Sequence, residues 1–173
     1  MQTIARKGKL VLKDGSVYEG ELYGKRNAVG EVVFTTGMSG YQETLTDPSF
    51  CGQIVVMTYP LVGNYGTNDL FNQGRKSFFQ GYVISELCDH PSNWRCEKTL
   101  EQFLDEQDVP VLTGVDTRAI TRKLRNYGVL QGVIVPAEMP QEEVEKLMAT
   151  PEVLDQVATV TTPEIYTLGY GKF

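Results

Sequence analysis

The run VPVLTGVDTRAITRKLRNYGVLQGVIV, residues 109–135, decides the class of fold. Val109-Pro110-Val111-Leu112 is a short apolar segment of strand character. Asp116 stands where a side-chain oxygen can accept from the free amides that open a helix. Ala119, Ile120 and Leu124 then recur at helical spacing and share one face. Gly128, just after Asn126-Tyr127, supplies the residue that ends such a helix. Val129–Val135 reads as a strand. Strand, helix and strand in this order predict a βα unit with a right-handed crossover. Beyond it, Pro140 opens another helix with Val144, Leu147 and Met148 on its apolar side, expected to be the last.

Upstream the chain reads differently. Leu10-Val11-Leu12 and Val17-Tyr18-Glu19 flank Asp14-Gly15, and Asp-Gly between β-prone runs predicts a hairpin with a tight primed turn. Val29–Thr36 is a further strand, and its contiguous Val32-Val33-Phe34 implies burial on both faces. Ile54–Tyr59, halted by Pro60, and Tyr82-Val83-Ile84 are two more strands. Leu100, Phe103 and Leu104, with Glu97, Lys98, Glu101 and Asp105 among them, predict an amphipathic helix of roughly three turns. Strands first and alternating elements later give an α+β fold, or a layered sandwich of sheet and helix. From Thr150 on the pattern weakens, and Pro151, Thr161-Thr162-Pro163 and Gly169-Tyr170-Gly171 read as a linker. A linker with nothing after it suggests one domain of a longer polypeptide.

Composition narrows the function classes. A chain of 173 residues suits one domain of ordinary size. Hydrophobic residues make up 41% and charged residues 22%, which disfavours collagen, coiled coil and full disorder. The formal net charge of -6 repels phosphate backbones and anionic lipid, so neither nucleic acid nor membrane is an expected partner. No apolar run approaches the ~20 residues of a bilayer span, and residues 1–9 lack a signal-peptide core. Three cysteines cannot all pair, which favours reduced thiols and a cytoplasmic location.

Few residues carry a chemical signature. Cys88-Asp89-His90 could suggest a thiol beside a base, but Pro91 follows and the stretch has loop character. Cys88, His90 and Cys96 offer at most three soft ligands, one short of a closed zinc site, so no metal is expected. Gly74-Arg75-Lys76-Ser77 resembles the end of a P-loop, yet Arg75 interrupts it and Asp69 stands where the earlier glycine belongs. Arg118, Arg122 and Arg125 form a basic stripe on the helix after Asp116, either a solvated face paired with nearby carboxylates or a docking face. The densest segment is Thr36–Ser49. Its two glycines, Gly37 and Gly40, permit a bend, and Asp47-Pro48-Ser49 has the composition of a turn that sets Ser49 near strand ends. Taken alone, it reads as a well-made turn before the next strand.

Val29-Gly30-Glu31-Val32-Val33-Phe34, Gly40-Tyr41-Gln42-Glu43 and Leu45-Thr46-Asp47-Pro48-Ser49 closely resemble the small chain of glutamine-dependent carbamoyl phosphate synthetase. Thr58-Tyr59-Pro60, Gly63-Asn64, Gly66-Thr67-Asn68, Ser92-Asn93 and Asp116-Thr117-Arg118, with Thr121 and Leu124-Arg125, continue the likeness in the same order. It runs from about Lys9 to Thr161-Thr162.

The resemblance implies a three-layer β/β/α sandwich of the swivelling-domain type for residues 1–152. It implies that 153–173 lead toward a glutaminase (class I amidotransferase) domain absent from this sequence. The G-x-C-x-G nucleophile elbow of that domain is missing, because Cys51, Cys88 and Cys96 lack such flanks. The chain by itself is therefore expected to contain no catalytic residue and not to hydrolyse glutamine. By the Asp-Pro-Ser match, Ser49 is the residue implied to bind glutamine; a hydroxyl can donate to a carboxylate and accept from an ammonium. Implied partners are the glutaminase domain and the large synthetase subunit, which would hold ATP and Mg²⁺; no cofactor is implied on this chain. The product would be carbamoyl phosphate for arginine and pyrimidine biosynthesis. A stand-alone binding module of the same fold, and a cysteine hydrolase built on Cys88 and His90, are the competing readings.

Overall fold

In the computed structural model of the protein, residues 5–149, 155–167 and 169 are described. Strands β1 (Arg6–Leu12) and β2 (Val17–Tyr23) form the expected hairpin, in register Val11↔Val17. Its loop has three residues rather than two. Leu12 N–H donates to Ser16 O at 2.9 Å, Gly15 N–H donates to Leu12 O at 2.9 Å, and Gly15 has φ +85°. Asp14 keeps negative φ, so the turn is a type I turn closed by a left-handed glycine and not a primed turn.

The remaining strands are β3 (Ala28–Thr35), β4 (Ile54–Met57), β5 (Leu61–Val62), β6 (Gly81–Val83), β7 (Glu86–Leu87), β8 (Val111–Thr113) and β9 (Leu130–Pro136). Seven close into a barrel in the order β1-β2-β8-β6-β4-β3-β9, while β5 and β7 pair separately. The run β3, β4, β6, β8 is parallel, and β1, β2 and β9 complete the ring with antiparallel pairings. The α+β expectation holds.

Alternation along the strands explains the closure. Leu10 and Leu12 of β1, Val32 of β3, Ile54 and Val56 of β4 and Ile134 of β9 fill the interior. Their odd-numbered neighbours on β1, β3 and β9 and Val55 on β4 face outward. Of Val32-Val33-Phe34 only Val32 is fully buried, in the interior; Val33 and Phe34 are half-buried, so the expected burial of both faces is met in part. The ring is narrow enough that Gly132 is required: a Cβ there would lie 2.7 Å from Val32 Cγ2.

Helices cover what remains apolar. Leu100 and Leu104 of α2 (Leu100–Glu106) pack with Tyr41 and Leu45 of α1 (Tyr41–Thr46) on outward-facing Val55, Tyr82 and Val111. Val144 of α4 (Gln141–Met148) packs on Val11, Val133 and Val135. Helix α3 (Thr117–Tyr127) is different, since its Ile120 and Leu124 join the barrel interior. Thr121 Oγ1 lies 2.7 Å from Thr58 Oγ1, just past the C-terminal end of β4. Lys123 Nζ reaches Asp14 Oδ2 at 2.6 Å and Ser16 Oγ at 2.6 Å at the hairpin tip. α3 thus seals the barrel mouth at the C-terminal ends of the parallel strands.

Two expectations are corrected here. β8 and β9 are not parallel neighbours, so the predicted right-handed crossover does not form. The apolar face of α3 enters the ring instead of lying on a sheet, and the chain returns antiparallel through β9. α2 has seven residues and not three turns, because Lys98 is drawn into a bridge with Thr67 and Glu97 accepts from Asn68. Its start is fixed by a reciprocal capping box between Thr99 and Gln102.

Periodicity also missed α1 and a fifth helix, α5 (Gln156–Val160), each under two turns and without an apolar period to reveal it. α5 lies in the stretch expected to be a linker, of which residues 153, 154, 168 and 170–173 are outside the described set. Among the described residues no helix is long and apolar enough to cross a membrane.

Candidate functional site

The segment from Gly40 to Phe50 carries the one substrate contact expected from the sequence, and its shape is set by distant loops. Gly40 has φ 74° and no side-chain cap. The hydroxyl of Tyr65 takes the capping role, accepting from Gly40 N–H at 2.9 Å and Tyr41 N–H at 3.1 Å. Tyr41 stacks on Tyr65 with ring centroids 4.1 Å apart, and its own hydroxyl donates to Gly66 O at 2.5 Å. Burial pushes both phenols above their ordinary range, which keeps them neutral.

The next residue, Gln42, is 1% exposed and spends both ends of its amide. Its Nε2 donates to Asn68 O at 2.6 Å and Asn72 Oδ1 at 2.7 Å, while its Oε1 accepts from Asn68 N–H at 2.9 Å. Asn68 Nδ2 continues the network to Arg95 O and Glu97 Oε1, and Ser92 N–H donates to Asn64 O at 2.9 Å. The separated sequence motifs Gly40–Glu43, Gly63-Asn64, Gly66–Asn68 and Ser92-Asn93 are therefore one polar assembly.

This assembly holds the Asp-Pro-Ser turn. Thr46 Oγ1 donates to Gln42 O at 3.0 Å and accepts from Gln73 N–H at 2.8 Å. Gly74 then lies against the turn so closely that a Cβ there would come 2.5 Å from Thr46 O. Asp47 opens a short 3-10 turn over Pro48–Phe50, with Oδ1 accepting from Ser49 N–H at 2.8 Å. Ser49 is exposed, and among the described residues its hydroxyl has no hydrogen-bond partner. The turn expected at 47–49 is present, and it presents a fixed backbone with a free hydroxyl.

Beside it lies a cavity of about 610 Å³, lined on the barrel side by Pro48, Asn72, Gln73, Gly74, Arg75 and Phe78. Residues from 160–166 form its other wall; Ser49 itself is not in the lining. Arg75 clasps that wall, donating to the carbonyls of Thr159, Val160 and Thr161 at 3.1, 3.1 and 3.0 Å, with its guanidinium 4.9 Å over the Phe78 ring. Gln156 Nε2 adds a bond to Cys51 O at 3.1 Å. The Arg75 stretch thus serves as a clasp and a cavity wall, and no phosphate cradle forms there.

The other candidates stay apart. His90 Nδ1 is 2.7 Å from Asp89 Oδ1, both side chains are exposed, and this bond holds Asp89 below the usual carboxylate range. Cys88 is half-buried and makes no hydrogen bond with His90 among the described residues. Cys96 Sγ donates to Lys98 O at 3.4 Å. Burial raises the Cys51 thiol, so it is held as the thiol. All three cysteines are free, and among the described residues no group of three or more metal-binding side chains comes together. Arg118, Arg122 and Arg125 are exposed on α3 and pair with no carboxylate among the described residues, so of the two readings of the stripe the paired one is not what the structure has.

Sequence reasoning did not assign roles to Gln42, Tyr65, Asn68 or Arg75. The detectable signal was the company of Gln42, an amide between a Tyr and a Glu in a stretch followed at once by buried Leu45.

The arrangement is a barrel whose loops brace one exposed serine turn, and it corresponds to a known domain. The family model described as the carbamoyl-phosphate synthase small chain, CPSase domain, matches residues 10–134, and the chain belongs to that family. It is 54% identical over 140 residues to the carbamoyl phosphate synthase small chain of Caldanaerobacter subterraneus subsp. tengcongensis, covering 80% of this chain and 39% of that one. It is 47% identical over 169 residues to the pyrimidine-specific small chain of Halalkalibacterium halodurans, covering 96% of this chain and 47% of that one. The pyrimidine-specific small chain of Bacillus subtilis is 46% identical over 169 residues, with 96% and 46% covered. The chain thus spans less than half the length of these relatives. A solved aminopeptidase from Aneurinibacillus sp. strain AM-1 superimposes with a TM-score of 0.42 at 15% identity, over 79% of this chain and 33% of that one, which is too slight to carry an argument.

Proposed function

We propose that residues 1–152 are the N-terminal domain of the small, glutamine-amidotransferase subunit of a carbamoyl phosphate synthetase, with 153–173 leading to a glutaminase domain. In this reading the barrel scaffolds the glutaminase, lends Ser49 to the glutamine pocket and docks on the large synthetase subunit. ATP and Mg²⁺ act on that large subunit, and the cytoplasmic complex makes carbamoyl phosphate for pyrimidine and arginine biosynthesis. The swivelling β/β/α architecture is part of the same reading: the ring's opposite sides would be its two β layers, with helices outside. The chain alone is expected not to hydrolyse glutamine. The observation that carries the proposal is the exposed Ser49 hydroxyl on a turn braced by Asp47, in a chain of this family.

The role assigned to Ser49 is one hydrogen bond to the amino-acid end of glutamine, away from the scissile amide. Losing a bond to a charged group costs about 1.5–3 kcal/mol, or roughly 10- to 150-fold in affinity. In the full-length small chain with its large subunit, Ser49→Ala should raise the KM for glutamine by that factor and leave kcat nearly unchanged. Synthesis from free ammonia should be unaffected, since ammonia bypasses the pocket. Equal loss with both nitrogen sources would make Ser49 a residue of the fold or of the subunit interface. A gene ending at Phe173, without a downstream G-x-C-x-G segment, would favour a stand-alone binding module instead.

A further inference from the structure

Two threads leave the Ser49 turn, one from each side, and both end on α5. Downstream of the turn, Cys51 O accepts from Gln156 Nε2 at 3.1 Å. Upstream, Thr46 Oγ1 accepts from Gln73 N–H at 2.8 Å, and Gly74 packs so closely that a Cβ there would lie 2.5 Å from Thr46 O and 3.4 Å from Pro48 Cγ. The next residue, Arg75, crosses to α5 and donates to the carbonyls of Thr159, Val160 and Thr161. Phe78 joins the two threads. Its ring lies 4.9 Å from the Arg75 guanidinium, and its carbonyl accepts from Gly52 N–H at 3.1 Å.

α5 has little else to keep it in place. It is five residues long, none of them is buried, and only Val160 is half-buried. A helix this short is marginal by itself in water. Its start is capped by Asp155 Oδ1, which accepts from Ala158 N–H at 2.9 Å. The carbonyls at its other end have no partner within the helix. Arg75 supplies one: a planar guanidinium serves several acceptors at once, and the helix dipole favours a cation at that end. Arg75 is itself exposed, so its three bonds act on the placement of α5 and not on the packing of the ring.

In the function proposed above, the glutamine pocket belongs to the domain that follows α5, and Ser49 reaches it from the barrel. Such a pocket is complete only when hydroxyl and domain are held in register, since a misplacement of about 1 Å is enough to spoil a bound geometry. We infer that Arg75 is a positioning residue for glutamine use: by gripping the C-terminal carbonyls of α5 beside the Ser49 turn, it sets where the glutaminase domain begins relative to that hydroxyl. This rests on the proposed role of Ser49. Arg75 does not itself touch glutamine in this arrangement; it acts through the turn and the helix.

The test uses the full-length small chain with its large subunit. Arg75→Ala should raise the KM for glutamine on the order of 10-fold, and by no more than Ser49→Ala does, with kcat nearly unchanged. Synthesis from free ammonia should be unaffected. On a Ser49→Ala background Arg75→Ala should add nothing further to the KM, because the position of an absent hydroxyl no longer matters. Arg75→Lys keeps a cation at the end of α5 without the planar fork and should lie closer to wild type than Arg75→Ala. Gln156→Ala cuts the other thread and should raise the KM by a smaller factor. Amide exchange at 158–161 should quicken in Arg75→Ala while β4 and β6 keep wild-type protection, which separates release of α5 from loss of the fold. A KM unchanged by Arg75→Ala, with Ser49→Ala still raising it, would overturn the inference and leave the role of Ser49 intact. Additive KM effects of the two substitutions would also overturn it, since Arg75 would then act by another route. So would equal loss with glutamine and with ammonia, which would make Arg75 a residue of the fold or of the subunit interface. A KM unchanged by Ser49→Ala would remove the role of Ser49 and the inference with it.

Discussion

At the mouth closed by α3, order comes from oil: Ile120 and Leu124 sit inside the ring with Leu12, Val32 and Val56, while Thr121 bonded to Thr58 and Lys123 bonded to Asp14 and Ser16 tether the helix's flank. Around α1 and the Asp-Pro-Ser turn, order comes from amides and hydroxyls: Gln42, Tyr65, Asn68 and Thr46 each bridge segments far apart in sequence. The first arrangement is tolerant of detail and rich in energy, because burial is non-directional. The second contributes less net energy per contact but fixes positions, because each bond has a required geometry. A barrel made this way keeps its stability in one place and its precision in another.

The strongest way to break this contrast is Ile120→Ala. Ile120 is fully buried, so the cavity should cost about 2–5 kcal/mol by chemical denaturation. The backbone of the serine turn should keep its amide-exchange protection under native conditions. A loss below about 1 kcal/mol would mean that α3 is a lid on the ring and not part of its core.

Gln42→Ala attacks the other region. It leaves the Asn68 amide and carbonyl without their partner, a cost of about 1–3 kcal/mol. Exchange should quicken at 66–73 well before it does in β4 or β9. Uniform acceleration over the whole barrel would show that the network is core and not positioning.

A smaller effect is expected from Asp47→Ala. Losing the cap on the Pro48–Phe50 turn should cost about 1 kcal/mol. In a full-length small chain it should raise the KM for glutamine, and on a Ser49→Ala background it should add nothing further. Additive KM effects would separate Asp47 from Ser49.

The least change is expected at Asp14, whose carboxyl is held below its ordinary 3.8 chiefly by the Lys123 hydrogen bond. A depressed carboxylate stabilises the fold above its ordinary value and ceases to as pH falls through the native one. Thermal midpoints of wild type and Asp14→Asn should thus differ at pH 7 and draw together as the pH falls below 3.8. A gap that does not change with pH would show the tether to be steric.

The same contrast explains what the sequence disclosed. The hairpin at Asp14-Gly15, the burial of Val32, the cap at Asp116 and the apolar faces of α2, α3 and α4 were legible, because local period and capping chemistry encode them. Ring closure was not. β1 and β3 both pair with β9, and nothing local in Leu130–Pro136 states that its two edges have partners so distant in the chain. Nor was the brace around Ser49, where a short helix is capped by a tyrosine hydroxyl from another loop. The Asp-Pro-Ser turn was readable as a turn; its significance came only through likeness to the family.

Pairing of β1 and β3 with β9 also sets the order of events during synthesis. Until Pro136 has left the ribosome, the nascent hairpin and the β3–β4 pair each carry an open strand edge, and open edges recruit other chains. The final strand is the seam that removes both hazards at once. Truncation before Leu130 should therefore yield aggregates, while a chain that includes β9 should stay monomeric by size-exclusion chromatography.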